Sequence, residues 1–265
     1  MNLTYPQNAL AWASTQWIFC SATSRALIVF GAAMAIALLT TYVISWRDKR
    51  TYRGVGIWVK PMKFMAATAL FAWTTVGLAM LASTTVSHGQ AFKWIAAVLV
   101  ITSLFEVVYI SYQAVLGAAS HYNTADAFHA LMFGLMGIAA VALTATQAWL
   151  AWEIWIEQRD SGPSILSQGV IAGLVFTFVL STVSGFLLAG KQPPSGVGMP
   201  IFGWHLWGDI RPSHFLGVHA QQLIPLAAWL AECLLGNLAQ TGFAVFAAIY
   251  VAVWALLIWT GLASG

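Results

Sequence analysis

Charge is what this chain has least of. Of its 265 residues, 8 are acidic and 11 basic, together 7%, whereas 60% are hydrophobic. A soluble domain carries about 25% charged residues, so this chain cannot cover a water-facing surface. The 14 Trp, 15 Phe and 7 Tyr equally exclude a disordered chain. The net charge of +3 is too small to make a nucleic-acid binder. The partner indicated is a lipid bilayer.

Cysteine is also scarce. Cys20 and Cys233 are the two present. Both fall on the same expected side of the membrane, either as a disulfide or as two isolated thiols. No His-Glu-x-x-His, Cys-x-x-Cys, Gly-rich phosphate loop or Gly-x-Ser-x-Gly elbow occurs, so zincin proteases, P-loop motors and elbow-type serine hydrolases lack support. The last apolar stretch has no Lys to hold a retinal. No cleavable signal peptide is evident, because the first twenty residues lack a basic start and contain Trp12 and Trp17. Residues 1–24 are expected to lie along the outer interface.

A spanning helix needs about 20 mostly apolar residues. Seven stretches qualify, at 26–46, 64–84, 92–117, 127–152, 165–190, 213–235 and 239–262. None shows the strict alternation of a membrane barrel strand. The expected fold is therefore all-α, a single polytopic domain of seven transmembrane helices. Arg47, Lys49, Arg50, Arg53, Lys60 and Lys63 crowd the connection after the first span, which places that loop inside. The N-terminus is then outside and the C-terminus inside, with the bacterial inner membrane as the expected location. The long connection 191–211 holds Trp204, His205 and Trp207 and is expected to fold back over the inner face.

Polar residues inside a membrane are costly, so they mark candidate sites. Glu106 lies about eleven residues, roughly 16 Å, from the inner end of the third span. Ser103, Glu106, Tyr109, Gln113 and Gly117 share one face of that helix. Glu106 is either interhelical glue or a proton carrier, metal ligand or general base. Ser120 to Asp126 joins spans three and four. There Asn123 or Thr124 is expected to cap span four, with Asp126 in its first turn and His129 paired to Asp126. His121 has no such structural employment.

Span six carries His214, His219 and Gln222 ahead of Pro225. Five residues apart is about 140° around a helix, so His214 and His219 face different partners or His214 sits on a frayed turn. His121, His214 and His219 are the candidate metal ligands, with Gln113, Asn123, Asp126, His129 and Gln222 around them and Glu106 as the catalytic group. Zinc, iron, copper or one haem is the expected cofactor. Lys60, Lys63 and Arg211 either snorkel to the inner boundary or meet an anionic substrate or headgroup.

The pairing of Ser120-His121 with two histidines on a later span resembles, in architecture, the seven-span zinc hydrolases of the ceramidase and adiponectin-receptor superfamily. That resemblance implies zinc-bound water acting on a lipid amide. It departs at the spacing of His214 and His219 and at the missing intramembrane Asp. The blocks Trp58-Val59-Lys60-Pro61-Met62-Lys63-Phe64, Ser120-His121-Tyr122-Asn123 and His214-Phe215-Leu216-Gly217-Val218-His219-Ala220 resemble those of uncharacterised bacterial seven-span membrane proteins. Three functions follow as expectations. They are a metal or haem enzyme acting on a lipophilic substrate, a proton-coupled transporter using Glu106, and a structural or assembly subunit that oligomerises.

Overall fold

The structure, a computed structural model, describes residues 20–195, 198–199 and 203–263. Among the described residues it is all-α apart from one small hairpin. Seven long helices run in chain order: α1 (Ala22–Arg47), α2 (Val59–Ala82), α4 (Gln90–Val115), α5 (Ala127–Gln158), α6 (Ile165–Gly190), α7 (Arg211–Leu235) and α8 (Ala239–Leu262), with the short α3 (Thr84–His88) between α2 and α4. The segment before Cys20 lies outside the described residues.

Among the described residues, six stretches are long and apolar enough to cross a membrane. The last of them, Arg211–Leu262, is 52 residues long and contains both α7 and α8. A short 3-10 turn, Gly236–Leu238, separates the two, and Gly236 takes φ 51°, a left-handed value that suits glycine. Beyond it the chain doubles back. The Tyr250 hydroxyl donates to the Leu216 carbonyl at 2.6 Å, and the Gly208 amide donates to the Thr260 carbonyl at 3.1 Å. The helices therefore form an antiparallel hairpin.

Contacts between helix ends define two ends of the bundle. At one end the basic connection forms a hairpin, β1 (Thr51–Tyr52) against β2 (Val55–Gly56). Its turn residues Arg53 and Gly54 both have positive φ, as the tightest hairpin turns require. Arg50 donates to the Val115 carbonyl, Arg53 to Pro193 and Lys191 to Gly261, which draws the neighbouring helix ends together. At the opposite end Cys20 meets Met80, Gln158 meets Ala82 and Glu232 accepts from the Leu166 amide. Both cysteines are free thiols, Cys20 buried and Cys233 exposed.

Helix limits differ from the expected ones in instructive places. The second helix begins at Val59 rather than residue 64, which carries Lys60, Pro61 and Lys63 into its first turns. Proline is tolerated there because a first-turn N–H has no helical acceptor. The fourth span extends to Gln158, so Glu153 and Glu157 are helical. The cap of α5 is Asp126 and neither Asn123 nor Thr124. Its carboxylate accepts from the His129 amide at 2.9 Å, and a carboxylate is favoured at a helix N-terminus. Asn123 instead accepts from the Ala125 amide and donates to the Ala119 carbonyl.

The interior is sealed by Leu27, Phe71, Phe92, Leu99, Leu150, Ile154 and Leu174, while Ile36, Ile101, Ile138 and Phe186 point outward and are more than half exposed. An apolar exterior on this scale belongs in lipid. α6 and α7 pack most tightly. A Cβ on Gly217 would lie 2.6 Å from the Ser181 amide nitrogen, and one on Gly173 would lie 2.8 Å from Pro225 Cδ. Small residues let the two backbones approach, as membrane helices commonly do.

Candidate functional site

Near the hairpin end of the bundle the first turn of α2 meets the loop between α4 and α5 through polar side chains. Lys60, on the first turn of α2, donates from Nζ to Ser120 Oγ at 2.8 Å. Ser120 in turn lies 3.2 Å from His121 Nδ1. The hydroxyl already accepts from the ammonium, so its own proton is free to go to Nδ1, which favours the His121 tautomer protonated at Nε2. The His121 ring sits between Phe64 and Phe133, 6.0 Å from each centroid. Burial, then the charges of Lys60 and His214, hold its pKa well below the usual imidazole value. His121 is a half-buried imidazole positioned by Ser120 and two aromatic rings.

Glu106 is 8% exposed on α4. Its charge and that of Lys60 attract each other, while the contacts the structure shows run from Lys60 through Ser120 to His121. His214 joins from α7. Its Nδ1 lies 3.1 Å from Ser184 Oγ on α6, and Ser184 donates to the Leu180 carbonyl at 2.7 Å. His219 turns elsewhere. Its Nδ1 is 3.3 Å from Gln222 Oε1, and the Gln222 amide donates to Thr74 on α2 at 3.1 Å. The two histidines thus have different partners, one of the arrangements the helical spacing allows.

The polar face of α4 is buried as its period requires: Ser103, Glu106, Tyr109 and Gln113 are all under 9% exposed. Ser103 Oγ and both amide atoms of Gln221 have no hydrogen-bond partner among the described residues, and the Gln113 amide is coupled only to Tyr109, one turn earlier. Buried amides gain much from a polar partner.

Other expected residues stand apart. Asp126 and His129 form an ion pair at 2.7 Å, as their spacing suggests, but at an exposed cap. Hydrogen bonds from the His129 amide and ring lower the Asp126 pKa. Lys63 is exposed and feels the Arg211 charge. Arg211 is committed to Asp209, which has an N–O distance of 2.7 Å and no side-chain exposure. Burial opposes ionisation of Asp209, yet the Arg211 guanidinium and the His205 and Arg211 amides overcome it and lower its pKa. This pair staples the connection after α6, while Trp204 packs on Phe215 and Trp207 on Trp259. Those contacts return the connection to the bundle. Tyr122 fastens the neighbouring loop by donating to the Leu188 carbonyl, and burial pushes its pKa up to about 12.

Among the described residues no three His, Cys, Asp or Glu converge on a common metal position. Sequence reading missed Ser120 as the bridge and Ser184 and Thr74 as partners. Ser120 was signalled only by its place beside His121. Comparison with family models, with curated proteins and with solved structures finds no match to this chain. The fold alone defines the class, an all-α protein whose long apolar helices are those of an integral membrane protein.

Proposed function

We propose that this is a seven-span inner-membrane carrier, N-terminus outside and C-terminus inside, that couples transport to a proton carried by Glu106. The observation that carries this reading is the burial of the Glu106 carboxylate, 8% exposed, inside a helix bundle and within electrostatic range of Lys60. An ionisable group held away from water beside a movable counter-charge is the minimal device for taking up and releasing a proton. The hydrogen-bonded string Lys60–Ser120–His121 near the hairpin end supports the reading with further groups able to pass a proton. Alternation of helix direction and the basic hairpin support the orientation.

The test is proton entry into liposomes that contain the protein and an entrapped pH-sensitive dye, after a pH step. The wild type is expected to pass protons and Glu106→Gln to be inert. Equal flux in the two proteins overturns the reading.

A metal or haem enzyme acting on a lipophilic substrate is the second reading. It is favoured by the electrostatic proximity of His121 to His214 and of His214 to His219. It ranks second because the Lys60 ammonium repels a metal cation from the same cluster. Stoichiometric zinc, iron or copper in protein purified without metal columns, and lost in His219→Ala, would reverse the order.

A further inference from the structure

A groove opens between the last turn of α1, the β1–β2 hairpin and the first turn of α2. It has a volume of about 300 Å³, and Ser45, Lys49, Arg50, Thr51, Trp58 and Met62 line it. Around it Arg47, Lys49, Arg50 and Arg53 stand against a single acid, Asp48. That acid is already occupied. Its carboxylate accepts from Arg50 Nε at 2.9 Å, from Arg50 Nη2 at 2.8 Å and from the Trp58 indole at 3.0 Å. The other basic groups keep their charge for a guest. Arg47 and Lys49 are exposed and have no ion-pair partner among the described residues. Lys49 Nζ donates to the Ser45 carbonyl at 3.3 Å, which holds the ammonium over the end of α1, and Arg53 reaches only the Pro193 carbonyl. Asp126 and Asp209, the remaining acids near this end, are paired with His129 and Arg211.

Beside these charges the outer surface of α1 is apolar and aromatic. Leu39, Tyr42 and Trp46 are each more than half exposed, and the two aromatic rings meet edge to face at 5.2 Å. Their spacing puts all three on one face of the helix, with Ser45 beside them. Outward Tyr and Trp at the end of a spanning helix belong at headgroup depth. One continuous stripe thus runs from apolar Leu39, past the aromatic pair, to the unpaired cations at the groove.

We propose that this groove and stripe bind an anionic glycerophospholipid, its phosphate at Arg47 and Lys49 and its acyl chains along Leu39, Tyr42 and Trp46. The class of ligand follows from the two surfaces together. Unpaired ammonium and guanidinium groups at a membrane surface attract phosphodiesters, and the stripe beneath them takes a hydrocarbon chain, which a free phosphate lacks. A zwitterionic headgroup fits poorly. Its own cation needs a carboxylate, and the one carboxylate at the groove is filled by Arg50 and Trp58. The lipid belongs to the leaflet that meets the hairpin end of the bundle.

The site does not depend on proton carriage by Glu106, and its test is a binding measurement. The full chain is placed in phosphatidylcholine nanodiscs with a trace of spin-labelled phosphatidylglycerol or, in parallel, spin-labelled phosphatidylcholine. The fraction of label held still by the protein is read from the electron spin resonance spectrum. A preference of about threefold or more for phosphatidylglycerol is expected. Arg47→Gln combined with Lys49→Gln should bring the two lipids to parity. Arg47→Gln alone should lower the preference part of the way, and it breaks no ion pair among the described residues, so misfolding of the double variant does not decide the matter. Lys93→Gln, at the opposite end of the bundle, should leave the preference intact. Equal retention of the two lipids by the wild type overturns the proposal. So does a preference that survives in the folded double variant and in Arg47→Gln. An equal loss in Lys93→Gln also overturns it, because net charge and not this groove then selects the lipid. Return to parity on adding millimolar inorganic phosphate at constant ionic strength removes the lipid as the occupant.

Discussion

The Asp209 carboxylate receives the Arg211 guanidinium through both Nε and Nη2, at 2.8 and 2.7 Å, while its second oxygen also accepts the His205 amide at 2.9 Å. One acidic side chain thereby fixes both the start of α7 and the strap that precedes it. The helix bearing His214 and His219 is held at its root.

Asp209→Ala should accordingly destabilise the detergent-purified protein by about 2 kcal/mol, through the unpaired guanidinium and the freed amides. Because the folded pKa of Asp209 is lowered, its stabilisation is complete above the unfolded carboxyl value, about 3.9, and is lost as pH falls below it. Thermal unfolding with a light-scattering endpoint reads both effects. An unchanged midpoint at neutral pH would contradict them.

His121 makes a separate pH prediction. Its folded pKa lies well below that of the unfolded imidazole, so the unfolded chain binds the extra proton. Stability should be complete above about pH 6.5 and decline below it, by at most about 1.4 kcal/mol per pH unit. His121→Asn should flatten that decline between about pH 6.5 and 5. A slope identical to that of the wild type would show that the imidazole is not kept neutral.

Glycines distinguish packed from open helix faces. Gly217→Ala forces a Cβ onto the Ser181 backbone and should cost on the order of 2–3 kcal/mol. Gly137 has nothing within 4 Å of the corresponding position, and Gly137→Ala should leave stability unchanged or raise it by up to about 1 kcal/mol. Matched melting curves decide the comparison, and similar losses in both variants would refute the tight α6–α7 contact.

Orientation can be read from thiols. With intact cells, a membrane-impermeant maleimide should label exposed Cys233 and spare buried Cys20. A Gly54→Cys variant, at the tip of the basic hairpin, should react only after permeabilisation. Labelling of the hairpin in intact cells inverts the assigned topology.

The helices were legible because length and apolarity are local properties, and the seven apolar stretches each became a long helix. Their ends were less so. Lys60 and Lys63 read as loop cations beside Pro61, yet a proline costs nothing in a first turn and the helix begins before it. Asp126 displaced Asn123 at the cap because an acidic oxygen could serve the His129 amide and ring together. The expected pairing of Asp126 with His129 formed, being a matter of three residues on one helix. The junctions of the site did not show in the sequence. Lys60 and Ser120 are 60 residues apart, Ser184 and His214 are 30 apart, and Thr74 and Gln222 are 148 apart. Only the packing of helices decides which distant side chains meet.

The glycine contacts between α6 and α7 have a mechanical consequence. Backbones that touch cannot slide without first lifting apart, so α6 and α7 are held in one register, with α8 folded onto α7. The hydrogen bond between Ser184 and His214 crosses that same seam, so the imidazole is placed by the fit of two glycine-lined surfaces and not by any residue next to it in the chain.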